Sequence, residues 1–293
     1  MPIQQITIVG TGLIGGSLGL ALKQAGFVGP IVGCDKRAAL EIAQASGAID
    51  RAEADLERAI LGSDVVVLAT PVGCILSQLE ALAPLLAPDV LTTDCGSTKE
   101  RLVELARMLF GDSAKQRVLP GHPMAGKEVG GIENADPQLF RDAVWLITPI
   151  DGGHAYTSRE EEWMELLRAI GARVITMDAE RHDRLCAWIS HLPQMIATAL
   201  ASSLREEFGH DSELMQIGGR ALREMTRIAH SPYSMWRDIA LTNTENIEDA
   251  LLHFEQQLAH LRENLRGPGL REMFERANQW PVAGGQLPAK KRD

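Results

Sequence analysis

The stretch ITIVGTGLIGGSLGLALKQAG, residues 6–26, sets the architecture of the first half of the chain. It opens with the apolar run Ile6 to Val9, passes through Gly10, Gly12 and Gly15, and keeps helical periodicity to Gly26. Strand, glycine turn and helix in that order make a G-x-G-x-x-G dinucleotide fingerprint, with Leu13 and Ile14 between the second and third glycines. The first glycine tightens the turn, the second lets backbone approach a pyrophosphate, and the third lets the helix pack on the strand with its N-terminus facing the anion. A second apolar run, PIVGCD, ends at Asp35, twenty residues after Gly15. A carboxylate there accepts hydrogen bonds from the adenosine ribose hydroxyls and repels a 2′-phosphate, which favours NAD. Lys36 and Arg37 follow at once, so NADP remains open.

Further apolar runs occur at 64–70, 90–95, 117–121, 143–148 and 172–177, with helical stretches between most of them. That alternation predicts an α/β domain of Rossmann type, a parallel sheet covered on both faces. Ligands of such sheets bind outside the carboxyl ends of the strands. Three ends therefore matter: Thr70-Pro71, the DCGSTK stretch carrying Ser97, and GHPMAG (121–126) carrying His122. Ser97 also suits a helix N-cap. GHPMAG is too short and broken by glycine and proline to predict regular structure, so His122 is expected in a loop at a strand end.

From about Asp178 the strand signals stop and the sequence reads as helix. RLCAWISHLPQMIATALASSL is apolar on almost every side and predicts a buried helix that kinks at Pro193, where an N–H is missing. It carries Ser190, His191 and Gln194, which need polar partners, either a ligand or one another. Downstream, Arg220, Arg223 and Arg227 fall at i, i+3 and i+7, a spacing that shares a helical face. This reads as a solvated basic stripe or as an anion site. Leu251, Phe254, Leu258, Leu261 and Leu265 step by three and four, a seam for another helix. The expected domains are 1–178, 179–280 and a loose tail at 281–293.

The 293 residues are 45% hydrophobic and 23% charged, with a formal charge of −10. No basic face points to nucleic acid and no apolar run approaches a membrane span. Cys34, Cys74, Cys95 and Cys186 are far apart without a CxxC, so no metal or disulfide framework is expected. With no signal peptide pattern, the cytoplasm is the expected compartment.

Taken in order, VGTGLIGGS, ATP, DCGSTK, GHPMAG, SHLPQ and TRIA followed by MWRDI closely resemble the prephenate and arogenate dehydrogenase family of tyrosine biosynthesis. The likeness covers roughly residues 5–275. It implies a Rossmann-type domain, an all-helical domain that forms a homodimer, and NAD(P)-linked oxidative decarboxylation of prephenate or arogenate. By the same resemblance His122 is the base for the ring hydroxyl and Ser97 hydrogen-bonds both the histidine and that hydroxyl. Arg227 holds a substrate carboxylate, and Ser190, His191 and Trp236 belong to the pocket. Glu128 and Glu224, with Arg223, belong to an ionic network at its mouth. Gln194 faces the substrate side chain; glutamine both donates and accepts, so it excludes neither a keto group nor an ammonium. Any feedback by tyrosine is expected at the active site, as competitive inhibition.

Two other readings carry their own signatures. A β-hydroxyacid dehydrogenase would use a lysine in the helical domain, and no lysine occurs between Lys127 and Lys290. A non-catalytic dinucleotide sensor would have no use for the His122 and Ser97 set.

Overall fold

The computed structural model describes residues 2–127, 129–152, 155–209 and 212–281. Six strands, β1 (Ile6–Val9), β2 (Ile31–Cys34), β3 (Arg51–Glu53), β4 (Val65–Leu68), β5 (Leu91–Asp94) and β6 (Val118–Leu119), form one sheet in the order β3-β2-β1-β4-β5-β6. Every neighbouring pair is parallel. Helices α1 (Leu13–Gln24), α2 (Arg37–Ala45), α3 (Val72–Leu82) and α4 (Glu100–Phe110) follow β1, β2, β4 and β5.

The apolar runs become strands because both faces of this sheet are covered. Alternate side chains divide between two cores. Ile6, Ile8, Val65 and Val67 join one cluster, whereas Val9, Val66 and Leu68 join the other with Ile75, Leu79 and Val103. Strand order reverses between β1 and β4, and that switch point opens a crevice at the carboxyl ends.

The single parallel sheet expected from the sequence divides in two. Gly121–Pro123 (β7), Val144–Ile147 (β8) and Arg173–Thr176 (β9) form a second sheet, β7 antiparallel to β8 and β8 parallel to β9. Pro120 causes the break: it has no N–H for the first ladder, and its carbonyl accepts from Thr148 N at 3.0 Å instead. His122 is thus a strand residue opposite Leu146, not a loop residue. Between β7 and β8 the described residues form only a 3₁₀ turn, Ile132–Asn134, with no helical crossover among them to keep the strands parallel. Helix α5 (Ser158–Ala169) then leads into β9, burying Trp163, Met164 and Leu167.

The remainder is helical. Near Pro193, where a kink is expected, a π-helical turn, Ala187–His191, lies between α6 (Ala179–Cys186) and α7 (Leu192–Phe208). Burial there is narrower than the sequence suggested: Trp188 is 41% and Ile189 59% exposed. The arginine stretch does not stay on one helix either. Helix α8 (Arg220–Thr226) gives way to a 3₁₀ turn at Arg227–His230, and Pro232 precedes α9 (Tyr233–Thr242). Compact packing groups the chain up to Thr244, because α6 and α9 are tied to the first sheet; residues from Glu245 form a second unit. That unit holds most of α10 (Thr244–Glu263) and all of α11 (Pro268–Ala277). Leu258 and Leu265 of the expected seam are exposed. No helix among the described residues is long and apolar enough to cross a membrane.

One substitution tests the first turn. A Cβ on Gly15 would sit 1.9 Å from the carbonyl oxygen of Gly10. Gly15→Ala is therefore expected to cost at least about 1–3 kcal/mol, because strand and helix must separate. Chemical denaturation checks this, and an unchanged midpoint would contradict the packing described.

Candidate active site

The glycine turn is built for a close-approaching ligand. Gly10 has φ +94°, a conformation costly for other residues, and its Cβ would strike Ala69 O at 2.7 Å. Gly12, by contrast, has nothing within 4 Å of a would-be Cβ, so the backbone there is open. Helix α1 begins with no capping side chain and no acidic residue in its first turn, leaving its N–H groups for an anion. At the end of β2, the Asp35 carboxylate accepts from Thr11 N at 2.8 Å, Thr11 Oγ1 at 3.2 Å and Lys36 N at 2.7 Å. These residues fit a dinucleotide.

A cleft of about 610 Å³ continues from this turn. Leu13, Ile14, Thr70 and Pro71 line it from the cofactor side, and Ser97, His122, Ser190 and Trp236 also reach its wall. The structure thus brings together residues from six separate stretches of sequence.

Asp94 joins the two sheets at this point. Its Oδ1 accepts from Gly121 N at 3.1 Å, beside His122, while Oδ2 accepts from Gly96 N at 2.7 Å and from the Lys99 ammonium. Lys99 is fully buried, a state a charged side chain tolerates only when paired. One carboxylate therefore fixes the Ser97 loop and the His122 strand against each other.

His122 is 7% exposed. Burial holds its imidazole well below the ordinary histidine value, and His182, Lys99 and His191 push the same way. Its Nδ1 is 2.9 Å from His182 Nε2, and His182 Nδ1 is 2.7 Å from Asp183 Oδ1. Ser97 lines the cleft, but no hydrogen bond joins it to His122 among the described residues, and His122 Nδ1 is paired with His182.

His191, Gln194, Arg223, Glu224 and Arg227 lie off the cleft wall. His191 is buried behind Trp236, with ring centroids 6.0 Å apart, and its Nδ1 faces Asn243 Nδ2 at 3.2 Å. Burial lowers its pKa to about 4. Gln194 is buried and donates to Thr198 Oγ1 at 3.3 Å. Arg223, Glu224 and Arg227 are exposed, and Glu224 accepts from Arg220 Nε at 2.6 Å in a solvated pair. Glu128 lies outside the described residues.

Sequence reasoning missed Asp94, Lys99, His182 and Asp183. The clearest available signal was His182-Asp183, one helical turn after the Asp178 N-cap and one before Cys186. Cys186 Sγ lies 3.6 Å from His182 Nε2 and 3.9 Å from His122 Nδ1, so the three form a compact buried group. Burial raises the Cys186 thiol to about 12, which keeps it protonated.

The chain is similar to known proteins along nearly its whole length. Residues 18–176 match the family model "Prephenate dehydrogenase, nucleotide-binding domain", and residues 178–278 match "Prephenate dehydrogenase, dimerization domain". Prephenate dehydrogenase of Lactococcus lactis subsp. cremoris is 33% identical over 87% of this chain and 70% of its own length. Cyclohexadienyl dehydrogenase of Zymomonas mobilis subsp. mobilis is 31% identical over 88% of this chain and 87% of its own. The crystal structure of Aquifex aeolicus prephenate dehydrogenase with hydroxyphenyl propionate and NAD+ superposes with a TM-score of 0.82 at 32% identity, covering 94% of both chains. With its parallel α/β nucleotide-binding domain, its helical C-terminal domain and these matches along nearly its whole length, the chain belongs to the prephenate dehydrogenase family.

Proposed function

We propose that this chain oxidatively decarboxylates prephenate, arogenate or both, passing a hydride to NAD. The observation that carries the reading is His122, held neutral by burial on the wall of the cleft that continues from the glycine turn. The family's relatives include both prephenate and cyclohexadienyl dehydrogenases, and Gln194 suits either side chain.

NAD would lie along Gly10, Gly12 and Gly15 with its ribose at Asp35, and it supplies the hydride acceptor. His122 Nε2 takes the proton of the ring hydroxyl as the O–H electron pair becomes a carbonyl bond and the geminal C–H leaves as hydride. Electrons of the ring-to-carboxylate bond then flow into the ring, releasing carbon dioxide. Aromatisation makes the ring oxygen basic again, and His122 Nε2 returns the proton to it. Acid–base work of this kind contributes about 10²–10⁴-fold, so His122→Asn should lower the hydride-transfer rate by that factor. An unchanged rate in a single-turnover measurement would exclude His122 as the base.

The sign of the pH effect follows from the same burial. A depressed pKa keeps His122 neutral at pH 7, so kcat/KM should be flat through neutrality and fall only as pH drops through that lowered value. A decline already under way at pH 7 would oppose it.

Ser97 is assigned to the hydroxyl, Ser190 and Trp236 to the pocket they line, and His191 and Gln194 to the pocket on the resemblance alone. Arg227 is assigned to a substrate carboxylate on the strength of the TRIA motif. Loss of a charged hydrogen bond predicts a KM increase of roughly 10- to 100-fold in Arg227→Ala. An unchanged KM would place the carboxylate elsewhere. Glu128, Arg223 and Glu224 are assigned to the pocket mouth on the resemblance alone.

We assign residues 1–178 to the nucleotide-binding domain, 179–280 to the helical domain and 281–293 to a tail, in the cytoplasm. A homodimer through the helical domain would cover Trp188, Ile189, Met225 and Leu241, all exposed in the single chain. Asp35 favours NAD over NADP, and tyrosine is assigned to competitive inhibition at the substrate site. NADH or NADPH formation with prephenate and with arogenate tests the whole reading; no turnover of either substrate would overturn it.

A further inference from the structure

The His122 ring is the outer end of a buried chain of three side chains. Asp183 anchors it: Oδ1 accepts from Lys99 N at 2.7 Å and Oδ2 from Glu100 N at 2.9 Å, at the start of α4. Asn243 Nδ2 holds the Asp183 backbone carbonyl at 2.9 Å. The carboxylate is thus fixed as an acceptor, and the hydrogen on the side facing it must belong to His182 Nδ1, 2.7 Å away.

Proton placement then propagates outward. A neutral imidazole has one donor and one acceptor nitrogen. With Nδ1 donating to Asp183, His182 Nε2 is bare and accepts. His122 Nδ1, 2.9 Å from it, must carry the hydrogen, so His122 Nε2 is bare. Burial keeps both rings neutral, because it lowers each pKa. His122 Nε2 has no protein partner among the described residues.

We propose that His182 and Asp183 are positioning residues for the reaction, holding His122 as the Nδ1–H tautomer with a bare Nε2 for the substrate proton. This rests on the assignment of His122 as base. His182 also links His122 to a carboxylate, so the positive charge that His122 gains in turnover lies two hydrogen bonds from Asp183.

The test pairs two substitutions with a spectroscopic readout. His182→Leu removes the acceptor, whereas His182→Gln places an amide oxygen where Nε2 was. The expected result is a kcat loss of about 100-fold in His182→Leu, the size of effect a misplaced reacting group gives, with KM for substrate and NAD unchanged. His182→Gln should recover most of it. Nitrogen-15 NMR of the His122 ring should show Nδ1 protonated and Nε2 bare in the unaltered protein, and a tautomer mixture in His182→Leu. Equal kcat in all three proteins would overturn the proposal, as would an Nε2–H tautomer in the unaltered protein. The latter readout holds even if His182→Leu does not fold. Because the tautomer is read without substrate, its failure is distinct from a failure of the unaltered protein to turn over prephenate or arogenate.

Discussion

The buried ion pair between Asp94 and Lys99 is the constraint on which the site depends. Two charges with side chains 2% and 0% exposed are costly to desolvate, and they persist because Asp94 also accepts two backbone N–H groups. Those N–H groups come from the loop after β5 and from β7, so the pair joins two sheets that do not share a ladder. Ser97 and His122 reach one cleft wall through this joint. Lys99 has a second consequence, since its positive charge helps keep His122 neutral.

A second carboxylate, Asp183, does for the helical segment what Asp94 does for the sheets. It caps the start of α4 through Lys99 N and Glu100 N, and its Oδ1 also meets His182 Nδ1. One residue, Lys99, thus connects both carboxylates, Asp94 through its side chain and Asp183 through its backbone N–H. Asp238 adds a further link, accepting from Gly73 N at 3.2 Å at the start of α3. These ties explain why α6 and α9 pack with the nucleotide-binding sheet although their sequence is wholly helical.

Much of this was legible in the sequence, for physical reasons. A buried parallel strand must be a continuous apolar run, and a helix after a glycine turn must show its period, so β1, β2, β4, β5 and α1 could be read directly. Motif residues at strand ends, Thr70, Ser97 and His122, also fell where the cleft formed. The division into two sheets was not legible, because a proline and a hydrogen bond from Thr148 to Pro120 are long-range facts. His182 and Asp183 were hidden for a related reason: their partners are 60 and 84 residues away. Helix patterning also overstated burial around Trp188 and Ile189, since an apolar run reads the same whether its side chains meet the core or stay at the surface. Arg227 shows the limit of spacing, because Pro232 and the 3₁₀ turn remove it from the helix its neighbours occupy.

The account makes one geometric claim above all, that a substrate hydroxyl meets His122 Nε2 while the same carbon faces the nicotinamide. A crystal structure with NAD and a hydroxyphenyl product analogue tests it most directly. The account predicts the phenolic oxygen within about 2.6–3.2 Å of His122 Nε2, with Ser97 as its second partner. A phenolic oxygen bound elsewhere, with His122 turned away from the ligand, would contradict it.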